Sequence, residues 1–300
     1  MGEAWIIDGV RSPRGRGKKG AGGLADVHPQ RVMAQVLNGL KDKVGFEVGD
    51  VEDVVAGNGS GTGDHAHDIA RSSVLDAGWP INVPGVTLHR FCGSGQQAVT
   101  MAAMGIMAGQ QDLVIGGGVE SMSRYSPNHT DGFTANNKHL FEQYPLIPQG
   151  VSADLIATRE GFSREQCDAY AVQSQERAAA SIKAGNFTDS IVPIYHNDGQ
   201  LALDKDEHPR PGTTLENMQG LNPSFEKMGT TLYDGHDRTF DQICKDVYPE
   251  IDGVTHVHHA GNSSGVVDGA GAILLSSPGY AKANGLKPRA KIVMTATAGT

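Results

Sequence analysis

The sequence predicts a layered α/β fold, and three observations carry that expectation. Apolar strand-like runs alternate with helix-period segments, 40 of the 300 residues are glycine, and only 6% are aromatic. Alternating strands and helices argue for a layered sheet with some parallel pairing. Abundant glycine suits the tight strand–helix turns such a sheet needs. A chain of this length has room for about two domains, each able to bury its own core.

Trp5 to Val10 is a short apolar strand. Arg31 to Val44 carries Val32, Val36, Leu37, Leu40 and Val44 at helical spacing, and Val51 to Asn58 reads as a second strand. Ile69 to Ala77 is predicted helical, closed by Gly78-Trp79-Pro80. A buried strand from Gly85 to Phe91 then turns sharply into a helix from Cys92 to about Ala108, and a strand follows at Asp112 to Ile115. The Cys92 helix is apolar nearly all round (Ala98, Met101, Ala102, Met104, Ile106, Met107), which places it between layers.

From Glu120 to about His259 the composition shifts toward Asn, Pro, Asp and His, with few strong strands. One helix is clear within it. Ser163-Arg164-Glu165-Gln166 fits a capping box, Tyr170, Ser174, Ala178 and Ile182 follow at helical spacing, and Gly185-Asn186 stops the run. Sheet texture resumes at Ala270 to Ser276, then a helix at Pro278 to Asn284 and a strand at Ala290 to Ala298. The expected organisation is a core over 1–119, an inserted region over 120–259, a return to the core at 260–277, and the opening of a further domain at 278–300.

A formal net charge of −9 argues against a general binder of nucleic acid or anionic membranes. The basic stretch Arg11-Ser12-Pro13-Arg14-Gly15-Arg16-Gly17-Lys18-Lys19 reads as a solvated loop, with local phosphate binding as its other reading. Cys92, Cys167 and Cys244 are widely spaced, which fits neither a disulfide framework nor a zinc site and suits a reducing compartment such as the cytoplasm. No window approaches the roughly 20 apolar residues of a membrane span, and the first residues lack the layout of a signal peptide, so a soluble protein is expected.

Cys92 is the most informative residue. A thiol at a helix N-terminus faces unpaired backbone N–H groups and the positive end of the helix dipole, and both favour the nucleophilic thiolate. Gly93 and Gly95 leave room for a bulky acyl group beside the backbone. The strand–elbow–helix context is the logic of a nucleophile elbow. The competing reading is a small, buried, inert thiol.

Several stretches together resemble the thiolase family over nearly the whole chain. They are Arg11-Ser12-Pro13 with Gly22-Gly23-Leu24, Arg90 to Ala98 around Cys92, Gly117-Gly118-Val119-Glu120-Ser121-Met122-Ser123, Asp206 to Glu216, and Ala260 to Ala270. Five such segments in the right order are specific, because the related ketoacyl synthases share only the cysteine elbow. The resemblance implies a thiolase-like layered αβαβα fold, acyl-CoA and coenzyme A as substrates, no cofactor or metal, and an acyl-cysteine intermediate on Cys92. It places Arg210 near the nucleotide end of CoA, Ser264 on the pantetheine arm, and Asn217, Leu221 and Phe225 along the CoA path. It also implies a homodimer or homotetramer. Without it, Arg210 reads as a surface salt bridge and Ser264 as a turn residue.

The family's later segments, an Asn-Glu-Ala-Phe stretch, a Gly-His-Pro histidine and a Cys-x-Gly-Gly turn, have no counterpart in these residues. The resemblance therefore implies that this sequence is part of a longer thiolase. Pro148-Gln149-Gly150 stands where many members carry His-Met-Gly near the acyl group, which leaves substrate preference open. The stretch from Phe225 to Asn262, including Tyr233-Asp234-Gly235-His236-Asp237 and Cys244, is longer than in compact members and reads first as a surface excursion, with a cover over the CoA entrance or a thickened subunit contact as its other readings. Two rival functions remain at this point. One is a catalytically inactive scaffold that binds acyl-CoA. The other is a metal-dependent hydrolase using Asp64, His65, His67 and Asp68 or His256, His258 and His259, since imidazole and carboxylate suit zinc or iron. Loop or interface histidines are the plainer reading of the second group.

Overall fold

The computed structural model describes residues 2–125, 137–232 and 237–299. In chain order the elements are β1 (Ala4–Arg11), β2 (Gly15–Arg16), α1 (Pro29–Val44), β3 (Asp53–Gly57), α2 (Ile69–Asp76), β4 (Val86–Leu88), α3 (Ser94–Met107) and β5 (Leu113–Ser121). Then come α4 (Lys138–Gln143), α5 (Gln149–Glu160), α6 (Arg164–Lys183), β6 (Ile194–Tyr195), β7 (Leu201–Leu203), α7 (Leu215–Gln219), α8 (Glu226–Thr230) and α9 (Phe240–Val247). The chain returns through β8 (Val267–Ser276), α10 (Pro278–Ala283) and β9 (Ala290–Ile292). The described residues form two compact units: 2–125 with 187–208 and 266–299, and 137–186 with 209–265.

The first unit is built on a mixed sheet in the order β4-β3-β5-β8-β1-β9, with β2 on β8. β4, β3 and β5 run parallel, and β8 is antiparallel to both β5 and β1. Both faces are covered, as strand periodicity requires. Val54, Leu113, Ile115 and Leu274 bury one face with α1 and α2, while Val55, Val114 and Leu275 bury the other with Ala98, Ala102, Ala103 and Ile106 of α3. α1 begins with proline in its first turn and ends at Gly45, whose left-handed backbone (φ 78°) returns its N–H to Lys41 O.

Several expectations are corrected here. The strand before Cys92 is only Val86–Leu88, and it lies on the sheet edge with Val86 exposed, because only β3 pairs with it. α3 is not buried all round. The sheet covers its alanine face alone, and Met101 and Met104 are 43% and 48% exposed. The strand expected to end at Ile115 runs on to Ser121, since β8 pairs with it residue by residue despite its glycines. The final strand is short because only Ala4–Ile6 of β1 faces it. The basic loop is not simply solvated: Asp206 holds Arg11 through both guanidinium nitrogens (2.7 and 2.8 Å) and accepts the Arg14 amide.

The second unit is helical. The α6 capping box forms as expected, with Ser163 and Gln166 bonding each other's backbone amides. The stretch beyond Phe225 is not a surface excursion. Phe240, Ile243, Cys244 and Ile251 are buried against Phe141, Val151 and Leu155, because the amphipathic α9 turns its apolar side onto α5 and α4. Residues 233–236 of the Tyr233–Asp237 motif lie outside the described residues.

Candidate active site

Cys92 occupies a sharp elbow between β4 and α3. Phe91, just before it, is one of two non-glycine residues with positive φ (48°) among those described. A side chain in that left-handed region costs about 1–2 kcal/mol, so the surroundings must hold it there. They do so with several bonds. Phe91 O accepts from the Ser94 amide (3.0 Å) and from Ser94 Oγ (2.5 Å), and Ser94 Oγ accepts from the Arg90 amide (2.8 Å). Close packing sets where the helix starts: a Cβ at Gly57 of β3 would collide with the backbone of Ser94 and Gly95. Gly93 is the N-cap of α3, and no side chain caps it. The thiol therefore sits exposed beside the open amide end of a 14-residue helix. That end can also take the negative charge of a carbonyl oxygen under attack.

Around the elbow lies a polar set that the sequence did not group. Glu120, at the end of β5, accepts the Gly59 amide (2.6 Å), and its carboxyl is pushed above the ordinary carboxylate range. Burial does this, outweighing the hydrogen bond from the Gly59 amide. Tyr125 is raised as well, by its own burial and then by the neighbouring Glu120. His89 Nε2 lies 2.7 Å from Gly59 O, and its Nδ1 accepts from the Phe91 amide (3.4 Å). Asp268 is fully buried and accepts from both the backbone and the hydroxyl of Ser123.

The residues expected to contact CoA all fall in the second unit. Arg210 is exposed, makes no ion pair among the described residues, and donates its backbone amide to Gln175. Asn217 is the N3 residue of α7 and closes a capping box with Thr214. Leu221 is half exposed, and Arg164 clamps its carbonyl together with that of Met218. Phe225 stacks over Gly150, where a Cβ would run into the ring. Ser264 is exposed.

Apart from the exposed His67, the histidines of the hydrolase reading are otherwise engaged. His65 is fully buried and accepts the Ser121 amide on Nε2 (2.9 Å), while Asp64 binds Arg124. His256, His258 and His259 lie in an irregular segment, as expected, but their rings are paired with aspartates rather than left free. His256 bridges Asp154 (2.7 Å) and Asp241 (3.0 Å), His258 donates to Asp154, and His259 pairs with Asp168. Two aspartates buried in the second unit draw these rings inward, and their separation of about a hundred positions from the histidines hid the pairing in the sequence.

The sequence profile of the thiolase N-terminal domain matches residues 4–233. The chain belongs to the thiolase family. Its fold is that of solved thiolases. The acetyl-CoA acetyltransferase of Bacillus anthracis superposes with a TM-score of 0.76 at 32% identity, covering 98% of this chain and 70% of that one. Human mitochondrial 3-ketoacyl-CoA thiolase in complex with CoA superposes with 0.75 at 30% identity, covering 97% and 69%. Among curated thiolases, the steroid 3-ketoacyl-CoA thiolase of Mycobacterium tuberculosis is 36% identical over 303 aligned positions, which span 97% of this chain and 66% of the relative. The chain thus covers about two thirds of the length of the first curated relatives it matches.

Proposed function

We propose that this protein is an acyltransferase acting on CoA thioesters, which forms or cleaves 3-ketoacyl-CoA through an acyl group carried on Cys92. The single observation behind this reading is the exposed thiol on a left-handed elbow at the uncapped start of α3. Membership of the thiolase family supports it. In the first half-reaction the Cys92 thiolate attacks the thioester carbonyl, a new C–S bond forms, and the CoA sulfur leaves and takes a proton. One thioester replaces another at little energetic cost. The second half-reaction transfers the acyl group to an acetyl-CoA carbanion, or in reverse to CoA.

Coenzyme A is a co-substrate in this reading, and no further cofactor is required. Arg210 meets the phosphates of CoA, a role its exposed guanidinium suits, since it makes no ion pair among the described residues. Ser264 contacts the pantetheine arm, with Asn217, Leu221 and Phe225 along the path. The exposed edge strand β4, next to Cys92, supports pairing into a homodimer or homotetramer. Three unpaired cysteines suit the cytoplasm. No helix among the described residues is long and apolar enough to cross a membrane.

Incubation with acetyl-CoA followed by peptide mass spectrometry tests the reading. An acetyl adduct on Cys92 that disappears in Cys92→Ala is expected. No adduct on the parent protein, or one that survives in Cys92→Ala, overturns it. Retention of CoA without transfer would instead mark a binding scaffold.

A further inference from the structure

The left-handed turn at Phe91 is held from outside the β4–α3 elbow as well as from within. Gly59, in the loop after β3, is gripped at both of its backbone groups: its N–H by Glu120 Oε2 (2.6 Å) and its carbonyl by His89 Nε2 (2.7 Å). A carbonyl can only accept, so Nε2 of His89 carries the proton and Nδ1 keeps its lone pair. That lone pair faces the Phe91 amide at 3.4 Å. The two rings meet edge to face, with centroids 4.9 Å apart. Gly59 is also close to the elbow itself: a Cβ there would lie 2.9 Å from Glu120 Oε2 and 3.5 Å from Phe91 O. A continuous path thus runs from the end of β5, through Gly59 and His89, to the strained residue that precedes the thiol.

We propose that His89 and Glu120 are positioning residues for Cys92, which fix the Phe91 turn by clasping Gly59 between them. Neither touches the reacting carbon. Their work is to keep Phe91 from relaxing to the right-handed or extended backbone, which would draw the thiol away from the amide end of α3. The inference rests on the reading of Cys92 as the nucleophile. Burial raises the Glu120 carboxyl above its ordinary value, and a carboxyl oxygen accepts the Gly59 amide whether or not the group carries a proton, so the clasp does not depend on the charge of Glu120.

The test is the rate of alkylation of Cys92 by iodoacetamide in the 300-residue chain, read by peptide mass spectrometry, with Cys167 in the same sample as internal reference. His89→Ala and Glu120→Ala are expected to slow Cys92 by about fivefold each, the effect of one hydrogen bond, while Cys167 keeps its rate. Glu120→Gln still offers an oxygen to the Gly59 amide, and His89→Gln still offers an N–H to the carbonyl, so both recover rate. Parent rates in both alanine variants overturn the inference. So does an equal loss in Glu120→Gln and Glu120→Ala, or a rise at all three cysteines, which marks general loosening. Should Glu120→Ala fail to fold, His89→Ala decides, since that ring is at the surface. An unreactive Cys92 in the parent protein is a different outcome: it removes the nucleophile reading itself.

Discussion

The strongest prediction concerns the buried ring of His256. Its side chain is 7% exposed, and each ring nitrogen faces a carboxylate oxygen, Asp154 at 2.7 Å and Asp241 at 3.0 Å. Both nitrogens must donate, so the ring is an imidazolium. Burial works against the charge, but the two carboxylates outweigh it and raise the pKa above the ordinary value. Asp154 keeps other donors, the amides of Val257 and His258 and the His258 ring, whereas Asp241 is met by the His256 ring. Replacing His256 by leucine removes the charged donor and leaves Asp241 facing an apolar group. Breaking a buried pair in this way costs about 3 kcal/mol. For a chain of 300 residues that lowers the unfolding midpoint by roughly 5 °C. The pH dependence has a definite sign. A base whose folded-state pKa is raised stabilises fully below its unfolded value, about 6.5, and loses that contribution as pH climbs through the folded value. The gap between parent and His256→Leu, measured by circular dichroism melts, should therefore be widest in mild acid and narrow toward alkaline pH. A gap that stays constant across that range would refute the charged bridge.

Three further outcomes are expected. His65 is wholly buried and burial depresses its pKa to about 4, so the first unit loses about 3 kcal/mol as pH falls from about 6.5 toward that value; His65→Gln should flatten the acid side of the stability profile, and an unchanged slope would count against it. Asp206 is desolvated, yet the Arg11 guanidinium and Arg14 hold its carboxyl far below the usual range, so its contribution is present above about pH 3.9 and fades only in strong acid; Asp206→Ala should cost about 2 kcal/mol at neutral pH in urea unfolding, and a midpoint equal to the parent's would dismiss the pairing. Gly150→Ala pushes a methyl group into the Phe225 ring and should destabilise the second unit by about 1–3 kcal/mol; a melt identical to the parent's would show that the ring moves freely.

Much of the fold was legible from local chemistry. The α1 periodicity, the capping box at Ser163 and the strand at Ala4–Arg11 all depend on neighbours within a few residues, which is the range over which spacing and caps act. The misreadings share a cause. The glycines of β5 read as the end of a strand, yet β8 holds it to Ser121, and pairing between strands some 150 residues apart leaves no local trace. The helix after Cys92 looked apolar on every side, but burial depends on what lies against each side, and the sheet covers one face. α9 reads as an excursion in the sequence because its partners Val151 and Leu155 are distant along the chain.

The site divides along the same line. A cysteine between a strand-like run and a small-residue helix, flanked by Gly93 and Gly95, was readable as a nucleophile position, because an elbow of that kind is local. The sequence by itself determined the thiolase family and the candidate thiol. Only the tertiary structure brought Glu120 and His89 to Gly59, and Asp154 and Asp241 to His256. Hydrogen bonds and desolvation act across space over a few ångströms, whatever the separation along the chain, so the groups that hold and tune a site emerge only once the chain has folded back on itself.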